Sequence, residues 1–347
     1  MTNFQNLSQW GWTPFFQLQL SLDEWSEVTP ARVVVQQKSN LTVVTDSDFR
    51  RIDITPSMPS IVVGDWLLID QDSRFIRLLE RRNTFKRKAA GVDAKWQLLS
   101  SNIDTALIVS SMNEDFNENR IERYLALALE SEIDPILVLT KDDIAVDKAT
   151  WQSKISELAE QVTVLSINAQ AFESSSALFD FLKFGQTSVL LGSSGVGKST
   201  LVNTLSKRDV QTTGEIREDD AKGRHTTSSR YLVPLENGSL ILDTPGMREL
   251  QLADCQNGIQ KAFEDIDMLA KHCRFADCQH SGEPGCNVLK AIESGELSQR
   301  KLNNYIKLKE EETRNSRTIA QRRSADKSLG KFYKTTLKQA KRLKGRD

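Results

Sequence analysis

The chain has 347 residues, more than one average domain, which predicts two or three compact units. Its 39% hydrophobic and 27% charged residues are ordinary for a globular protein, and a net charge of −1 excludes no class of partner by itself. No apolar run approaches the roughly 18–20 residues that a membrane helix needs. No apolar signal segment precedes Arg32, the first basic residue, so we expect a cytoplasmic protein without a membrane segment.

Residues 1–29 form an aromatic-rich N-terminal extension. Its aromatic side chains either pack onto a neighbouring domain, the interpretation we favour, or frame a surface for a partner. These side chains are Trp10, Trp12, Phe15, Phe16 and Trp25.

Residues 30–100 consist of short strand-like runs, among them ARVVVQQ, NLTVVT and VVGDWLLID, separated by polar turns. Alternation with period two at this spacing predicts a small antiparallel barrel. A partly open barrel of about five strands is the oligonucleotide-binding (OB) type. A basic run follows the last predicted strand and either contacts nucleic acid or forms a solvated loop. Its members are Arg81, Arg82, Lys86, Arg87 and Lys88.

Residues 101–255 contain apolar runs of buried-strand length: TALIVSS, PILVLT, VTVLSI, TSVLLG and SLILDT. Helical patterns at residues 120–130 and 151–161 lie between the earlier runs. Strands that alternate with helices predict a parallel, doubly wound α/β sheet. Residues 256–347 then supply a predicted helix over 259–271, a Cys/His cluster and a polar helical tail.

The segment GSSGVGKS at residues 192–199 follows an apolar run and precedes a helical pattern, the context that a phosphate-binding loop requires. Glycines let successive N–H groups face the phosphates, and the helix N-terminus adds partial positive charge. We predict that Lys198 pairs with the β- and γ-phosphates and that the Ser199 hydroxyl ligates Mg²⁺. The predicted phosphate-binding residues are Gly192, Ser193, Ser194, Gly195, Val196, Gly197, Lys198, Ser199, Thr200 and Gly246.

The sequence DTPG at residues 243–246 closes another apolar run. An Asp at a strand end can hold Mg²⁺ through water, and a Gly N–H can approach the γ-phosphate. Asp243 is therefore predicted at the magnesium ion and Gly246 at the γ-phosphate.

A base-reading segment, TKDD at residues 140–143, ends the apolar run PILVLT. Asp143 is predicted to accept hydrogen bonds from guanine N1–H and N2–H₂, a pair of donors that adenine lacks, while the Lys141 stem lies over the ring. Thr140 stands where the guanine-recognition pattern usually has Asn, which tethers this segment to the phosphate loop. In ordinary GTPases the base-reading segment follows the phosphate loop, whereas here it precedes it. This order predicts a circularly permuted GTPase.

The sequence GRHTT at residues 223–227 lies between the phosphate loop and DTPG, where a switch loop is expected. A hydroxyl of Thr226 or Thr227 is predicted to complete the Mg²⁺ shell. Met247 stands where many GTPases have a water-orienting Gln, and its side chain cannot polarise water. His225 is therefore our candidate catalytic residue; the alternative is a solvent-exposed loop histidine.

Three cysteines and one histidine within fourteen residues have the composition of a structural Cys₃His zinc site. The alternative is reduced cysteines in a small core. His272 and Cys255 are not expected to be ligands, and Cys255 is predicted to be a free buried thiol. The predicted ligands are Cys273, Cys278, His280 and Cys286.

Residues 314–347, which we call the basic arm, hold twelve Lys and Arg against Asp326 and Asp347. Such a density predicts an arm that binds a polyanion in a salt-sensitive manner, and the alternative is a solvated disordered tail. The basic residues are Arg314, Arg317, Arg322, Arg323, Lys327, Lys331, Lys334, Lys338, Lys341, Arg342, Lys344 and Arg346.

From about residue 31 to 288 the chain resembles the circularly permuted GTPases called ribosome small-subunit-dependent GTPase A (RsgA, or YjeQ). The resemblance rests on LERRNTFKRKAAG, NIDTALIVSS, RYLA, GSSGVGKST, GRHTTSSR, DTPGMREL and CRFADCQHSGEPGCNV, in this order. It implies a multidomain α/β protein: an OB-type barrel, a permuted GTPase domain and a C-terminal zinc-binding helical domain. It places Ser166 in the motif that backs the guanine base, and in this family the histidine matching His225 is proposed as catalytic.

The resemblance also implies GTP hydrolysis stimulated by the small ribosomal subunit during late maturation. The expected partners are this subunit with its 16S rRNA, and GTP or GDP with Mg²⁺, for a protein that we expect to be a monomer. One alternative is an RNA-binding module in which nucleotide only stabilises the fold. Another is a phosphate-loop ATPase that acts on nucleic acid.

Overall fold

A computed structural model of the chain describes residues 7–88, 96–145, 148–159, 162–207, 230–243, 252 and 254–316. Its strands, in chain order, are β1 Thr29–Gln36, β2 Asn40–Val44, β3 Phe49–Asp53, β4 Trp66–Ile69, β5 Phe75–Leu78, β6 Thr84–Lys88, β7 Trp96–Ser101, β8 Thr105–Ser111, β9 Asp134–Thr140, β10 Thr163–Ser166, β11 Thr187–Leu191, β12 Arg230–Pro234 and β13 Leu240–Asp243. Its α-helices are α1 Pro14–Gln17, α2 Glu24–Glu27, α3 Glu118–Glu130, α4 Lys148–Ala159, α5 Phe172–Ser175, α6 Lys198–Ser206, α7 Gln256–Ala262, α8 Glu264–Ala270, α9 Asn287–Glu293 and α10 Gln299–Ser316.

The five apolar runs of the second region form a parallel sheet, as predicted. Its order is β10-β9-β8-β11-β13, and each neighbouring pair is parallel. Strands β8 and β11 are buried along their whole length, which explains why their sequences are apolar without alternation. Because the strands are parallel, their carboxyl ends, where the predicted nucleotide segments begin, all lie at one edge of the sheet.

The sheet continues beyond the parallel strands into the N-terminal region. Strand β12 pairs antiparallel with β13 on one side and with β1 on the other, where Val35 lies opposite Tyr231. Strand β1 also pairs with β2 and β4, β2 pairs with β3, and β4 pairs with β5. The described strands therefore include one eleven-stranded sheet that joins the N-terminal region to the parallel strands.

The basic run does not follow the last N-terminal strand, contrary to the prediction. Lys86, Arg87 and Lys88 lie within β6, which pairs with β7 in a separate two-stranded hairpin. The side chain of Phe85 in this strand is buried. Pairing with β7 provides hydrogen-bond partners for the backbone of the basic residues. Arg81 forms two hydrogen bonds of 2.7 Å with the buried carboxylate of Asp65, so its charge stabilises the fold.

The N-terminal extension packs on the β-rich region, which confirms the favoured interpretation for Trp10, Trp12 and Phe16, all of them buried. The Trp12 ring meets that of Trp66 edge-on at a centroid distance of 4.8 Å, and Phe16 lies 5.7 Å from the same ring. Phe15 and Trp25 stay partly exposed. Burial of these large rings contributes apolar area that fixes the extension to β4.

Arg32 in β1 is a fully buried arginine at the junction of three parts of the chain. Its guanidinium donates to the carbonyl oxygen of Trp10, to that of Asn102 at 3.3 Å and to the Thr187 hydroxyl at 2.8 Å. Burial lowers its pKa to about 10, against the opposing charge of Asp104. The side chain thus connects the extension, β1 and the start of β11.

The C-terminal helices pack against α3 of the parallel region. A Cβ on Gly258 would lie 2.0 Å from the carbonyl oxygen of Ala126, so only glycine allows α7 to cross α3 this closely. The helix predicted over 259–271 is two helices, α7 and α8, because the backbone of Phe263 leaves the helical region at φ −127°, ψ 39°. The Phe263 ring is buried 5.5 Å from that of Tyr305 in α10.

Candidate functional site

The predicted phosphate loop connects the carboxyl end of β11 to the first turn of α6. Gly192 has φ +149°, and a Cβ there would lie 2.3 Å from the Val109 carbonyl oxygen, so the loop leaves β11 in a conformation that requires glycine. Gly195 and Gly197 also have positive φ, at +78° and +96°. Lys198 begins α6, and its ammonium donates to the carbonyl oxygens of Gly192, at 2.9 Å, and Ser193.

Thr140 tethers the base-reading segment to the phosphate loop. Its hydroxyl lies 2.6 Å from the Val196 carbonyl oxygen and 3.3 Å from that of Ser110, and the side chain is fully buried. A hydroxyl at this position therefore supplies the donor that Asn supplies in the usual pattern. The sequence predicted that residue 140 contacts the phosphate loop, and the structure shows that its hydroxyl is the donor.

The predicted guanine-binding residues lie together at the carboxyl ends of β9 and β10. Lys141 adopts the left-handed conformation at φ 63°, which turns the chain into a short 3₁₀ turn that contains Asp143. Ser166 is the last residue of β10 and lies opposite Leu139 of β9. Asp143 and Ser166 are both exposed at this edge, where a ligand can reach them.

Asp115, in the loop between β8 and α3, also contacts the phosphate loop, and the sequence analysis missed it. Its carboxylate accepts a hydrogen bond of 2.6 Å from the Ser193 hydroxyl and one of 3.1 Å from Arg120. Partial burial acts to raise the pKa of Asp115, but the hydrogen bonds from Ser193 and Arg120 outweigh it and hold the pKa below its ordinary value. Asp115 reaches the phosphate loop because its own loop follows a parallel strand at the same edge of the sheet, and no local sequence pattern marks it.

The predicted magnesium ligands are only partly within the described residues. Ser199 lies in the first turn of α6, and Asp243 is the last residue of β13, the strand beside β11. These two positions lie at the same edge of the sheet. The predictions for His225, Thr226, Thr227 and Gly246 fall outside the described residues, as does Met247.

The four predicted metal ligands come together in the C-terminal region. Their ligand atoms all lie within 4.8 Å of one another. The Sγ atoms of Cys273 and Cys286 are 3.9 Å apart, and Nδ1 of His280 lies 3.8 Å and 3.3 Å from them. Zn–S bonds of about 2.3 Å at tetrahedral angles place two sulfurs about 3.8 Å apart, so the donor set fits this metal. His280 and Gly282, with positive φ, turn the intervening loop back on itself.

Cys255 and His272 do not join this cluster, as predicted, among the residues that the structure describes. The Cys255 thiol is free and buried, 3.5 Å from the carbonyl oxygen of Ala126. Burial raises the pKa of this thiol far above its ordinary range, which keeps it protonated. The described chain likewise contains no helix both long and apolar enough to span a membrane.

The fold and the order of its nucleotide segments define a circularly permuted GTPase. The model of the RsgA GTPase family matches residues 78–253. The small ribosomal subunit biogenesis GTPase RsgA 2 of Vibrio parahaemolyticus is 45% identical over 331 residues, 95% of this chain and 92% of that protein. The small ribosomal subunit biogenesis GTPase RsgA of Xylella fastidiosa is 42% identical over 297 residues, 83% of this chain and 89% of that protein. The chain therefore belongs to the RsgA GTPase family and is a GTP-hydrolysing enzyme.

Two solved structures show the same fold at low sequence identity. YjeQ from Thermotoga maritima is 22% identical with a TM-score of 0.60, covering 81% of this chain and 97% of that one. YloQ, described as a circularly permuted GTPase, is 21% identical with a TM-score of 0.59, covering 84% of this chain and 98% of that one. The predicted circular permutation is confirmed by this fold.

Proposed function

We propose that this GTPase binds the small ribosomal subunit and acts late in its maturation, with GTP hydrolysis that the subunit stimulates. One observation carries the proposal: a relative named for small-subunit biogenesis is 45% identical over 95% of the chain. The proposed partners are the subunit with its 16S rRNA, and GTP and GDP. The protein acts as a monomer in the cytoplasm.

The proposed nucleotide site divides recognition between the base and the phosphates. Asp143 selects guanine, Lys141 and Ser166 frame the ring, and the loop of residues 192–199 with Thr200 and Gly246 holds the phosphates. Thr140 supports this assignment because its bond to Val196 fixes the two halves of the site relative to each other. Mg²⁺ bound with GTP would neutralise negative charge on the β- and γ-phosphate oxygens.

The proposed catalytic step is the in-line attack of water on the γ-phosphate. Ser199 and Asp243, with Thr226 or Thr227, would hold the magnesium ion, and His225 would orient the attacking water in place of the glutamine that other GTPases use. The identity of residue 247, a methionine, supports the role of His225 because a thioether cannot polarise water.

The proposed RNA-binding parts are an OB-type barrel at residues 30–100 and the basic arm. The β6–β7 hairpin supports this role, because the Lys86 ammonium lies 4.7 Å from the centroid of the partly exposed Trp96 ring. A ring with a cation beside it can stack on a base and contact its phosphate. The extension at residues 1–29, the GTPase domain at 101–255 and the zinc-binding region at 256–347 complete the proposed domain organisation.

The test is GTP turnover with and without purified small subunits, for the wild type and His225→Ala. We expect slow intrinsic hydrolysis that rises strongly with subunits, and a His225→Ala protein that binds GTP but loses the increase. Absence of stimulation in the intact chain would contradict the proposed function. A stimulated His225→Ala protein would contradict only the catalytic role of the histidine.

A second candidate, an RNA-binding module stabilised by nucleotide, is favoured by Met247 alone. Lys198→Ala separates the two functions, because it removes the cation that the phosphates need. Under the proposed function this variant loses GTP turnover and biological complementation. Complementation by a folded Lys198→Ala protein would support the module instead.

A further inference from the structure

The loop between β8 and α3 is fixed by hydrogen bonds of its own side chains. The side-chain oxygen of Asn113 accepts from the Ser111 hydroxyl at 2.7 Å and from the Asp115 N–H at 3.1 Å. Asn117 caps α3 by accepting from the Arg120 N–H at 3.0 Å. The backbone is therefore held on both sides of Asp115, and its carboxylate leaves the loop from a defined position.

The Asp115 carboxylate lies between Arg120 and the phosphate loop. The Arg120 guanidinium donates to its two oxygens at 3.2 Å and 3.1 Å, and one of these oxygens accepts from the Ser193 hydroxyl at 2.6 Å. Hydrogen bonds from a hydroxyl to a carboxylate at this distance are among the stronger ones in proteins. Partial burial raises the pKa of Asp115, but the bonds from Ser193 and Arg120 and the positive charge of Lys141 lower it by more. The side chain is thus ionised at neutral pH.

Ser193, the second residue of the phosphate loop, is held from two sides. Its hydroxyl donates to Asp115, and its carbonyl oxygen accepts from the Lys198 ammonium, which also donates to the carbonyl oxygen of Gly192 at 2.9 Å. The loop contains three glycines, which lose more conformational entropy on ordering than other residues do. A contact that holds the loop from outside therefore offsets part of this cost.

We propose that Asp115 is a positioning residue for GTP hydrolysis, which orders the phosphate loop before the nucleotide binds. The inference rests on the phosphate-binding role proposed for residues 192–199. A loop that is already ordered loses less entropy when its N–H groups close on the phosphates. GDP and GTP share the α- and β-phosphates that such a loop binds, so the effect applies to both nucleotides.

The negative charge of Asp115 has the opposite effect on binding, because it repels the phosphates. The ion pair with Arg120 offsets this repulsion. Asp115→Asn separates the two effects, since the amide keeps an acceptor for the Ser193 hydroxyl but loses the charge. If positioning dominates, this variant keeps the nucleotide affinity of the wild type; if repulsion dominates, it binds nucleotide more tightly.

The test measures the Kd of labelled GDP, and the KM and kcat of intrinsic GTP turnover without ribosomal subunits, in the full-length chain. We expect Asp115→Ala to raise the Kd and the KM each about fivefold and to change kcat less than about twofold, because binding is lost equally in the ground and transition states. Asp115→Asn should keep all three values within about twofold of the wild type. The control is Glu114→Ala, which removes the same charge from the neighbouring exposed position and should keep the wild-type values.

A double-mutant cycle tests whether Asp115 acts through the Ser193 hydroxyl. Ser193→Ala should raise the Kd and the KM as much as Asp115→Ala does. The double variant should raise them no further, because both changes remove the same hydrogen bond. Additive losses would mean that the Ser193 hydroxyl binds the nucleotide directly, and they would overturn the proposal.

Unchanged Kd and KM in Asp115→Ala would also overturn the proposal, as would an equal loss in Glu114→Ala. The same holds for an Asp115→Asn protein that binds nucleotide more tightly than the wild type or no better than Asp115→Ala. Lys198→Ala distinguishes this failure from failure of the proposed nucleotide site. If Lys198→Ala abolishes nucleotide binding while Asp115→Ala leaves it unchanged, the phosphate loop stands and only the role of Asp115 is wrong.

Discussion

A buried threonine, Thr140, stands where the guanine-recognition pattern usually has asparagine, and it leaves fewer polar groups to be paired. An Asn amide has two donors and an acceptor to satisfy, whereas the Thr140 hydroxyl needs only the Val196 carbonyl oxygen and, more weakly, that of Ser110. The β-branched side chain of Thr140 suits the end of a strand. Its methyl group also packs close to Gly197, because a Cβ built on that glycine would lie 3.6 Å from the methyl carbon.

Thr140→Val tests this tether because it keeps the shape and removes the donor. The Val196 carbonyl oxygen is left buried and unpaired, and the loop loses about 1–2 kcal/mol of support, which corresponds to roughly tenfold weaker guanine-nucleotide binding. The measurement is a fluorescence titration with labelled GDP. Thr140→Ser, which keeps the hydroxyl, is the matched control and retains affinity; equal affinity for the Val and Ser variants would contradict the role.

Local residues of the site were predictable from sequence, and distant ones were not. The glycines and Lys198 of the phosphate loop follow from one contiguous motif between a strand and a helix. Asp115 contacts Ser193 across 78 positions of sequence, and no local pattern distinguishes it from other exposed acidic residues. Its role depends on which loops share a sheet edge, which only the assembled sheet reveals.

At the scale of elements, the loop of the Cys/His cluster and the helices that flank it form one unit. Cys286 is the N-cap of α9, its Sγ accepting from the Leu289 N–H at 3.4 Å, and Cys273 follows α8. A metal bound by these thiolates connects the two helices directly. Without a metal this cross-link is lost, so the ends of both helices lose their support.

We expect one zinc ion for each chain, and its removal by a strong chelator should lower the melting temperature while labelled GDP still binds. The metal content is measured by mass spectrometry. Cys286→Ser should lose the metal, whereas Cys255→Ala, which alters a buried cysteine outside the cluster, should retain it. A metal-free wild type purified without chelator would be inconsistent with the assignment.

Helices and strands were predicted correctly where the hydrophobic pattern alone determined them. They were missed where the pattern was weak or where tertiary packing opposed it. The parallel strands are apolar runs of strand length, and helical patterns lie between the earlier ones, so both the hydrophobic period and the run length predict the same elements. Strand β12, with the sequence RYLVP, is short, begins with Arg230 and ends with Pro234, so its apolar content is too small to distinguish it from a loop. The break at Phe263 interrupts a helical pattern because burying the ring against α10 outweighs helix propensity.

For the whole molecule, the Arg32 side chain is a junction, because it connects the extension, strand β1 and the parallel sheet. If an apolar side chain replaces this buried guanidinium, the oxygen atoms that accepted its hydrogen bonds stay buried without a donor. Such a replacement is therefore destabilising unless those acceptors are changed as well. Asp104 contributes the largest compensating charge and is itself paired with Arg82 at 2.8 Å.

Arg32→Met should lower the melting temperature by about 6–12 °C, since a loss of about 3 kcal/mol shifts the melting temperature of a large domain by roughly 2–4 °C for each kcal/mol. Arg32→Lys keeps the charge, but one ammonium cannot reach all three acceptors of the guanidinium. Its melting temperature should therefore lie between those of the wild type and Arg32→Met. Scanning calorimetry provides the measurement. A shift of less than 1 °C in Arg32→Met would show that the junction does not depend on this side chain.

The pairing of β1 with β12 was out of reach for sequence reasoning because it joins residues almost two hundred positions apart. It also has a mechanical consequence. Residues 208–229, which hold His225 and both candidate threonines, begin just after the helix of the phosphate loop and end at Arg230. Arg230 is hydrogen-bonded to Gln36 of β1 and to the carbonyl oxygens of Leu98 and Leu99 in β7. The described chain thus leaves the proposed nucleotide site at Lys207 and resumes at Arg230, which is bonded to the proposed RNA-binding region, so a displacement of that region shifts Arg230 relative to the phosphate loop.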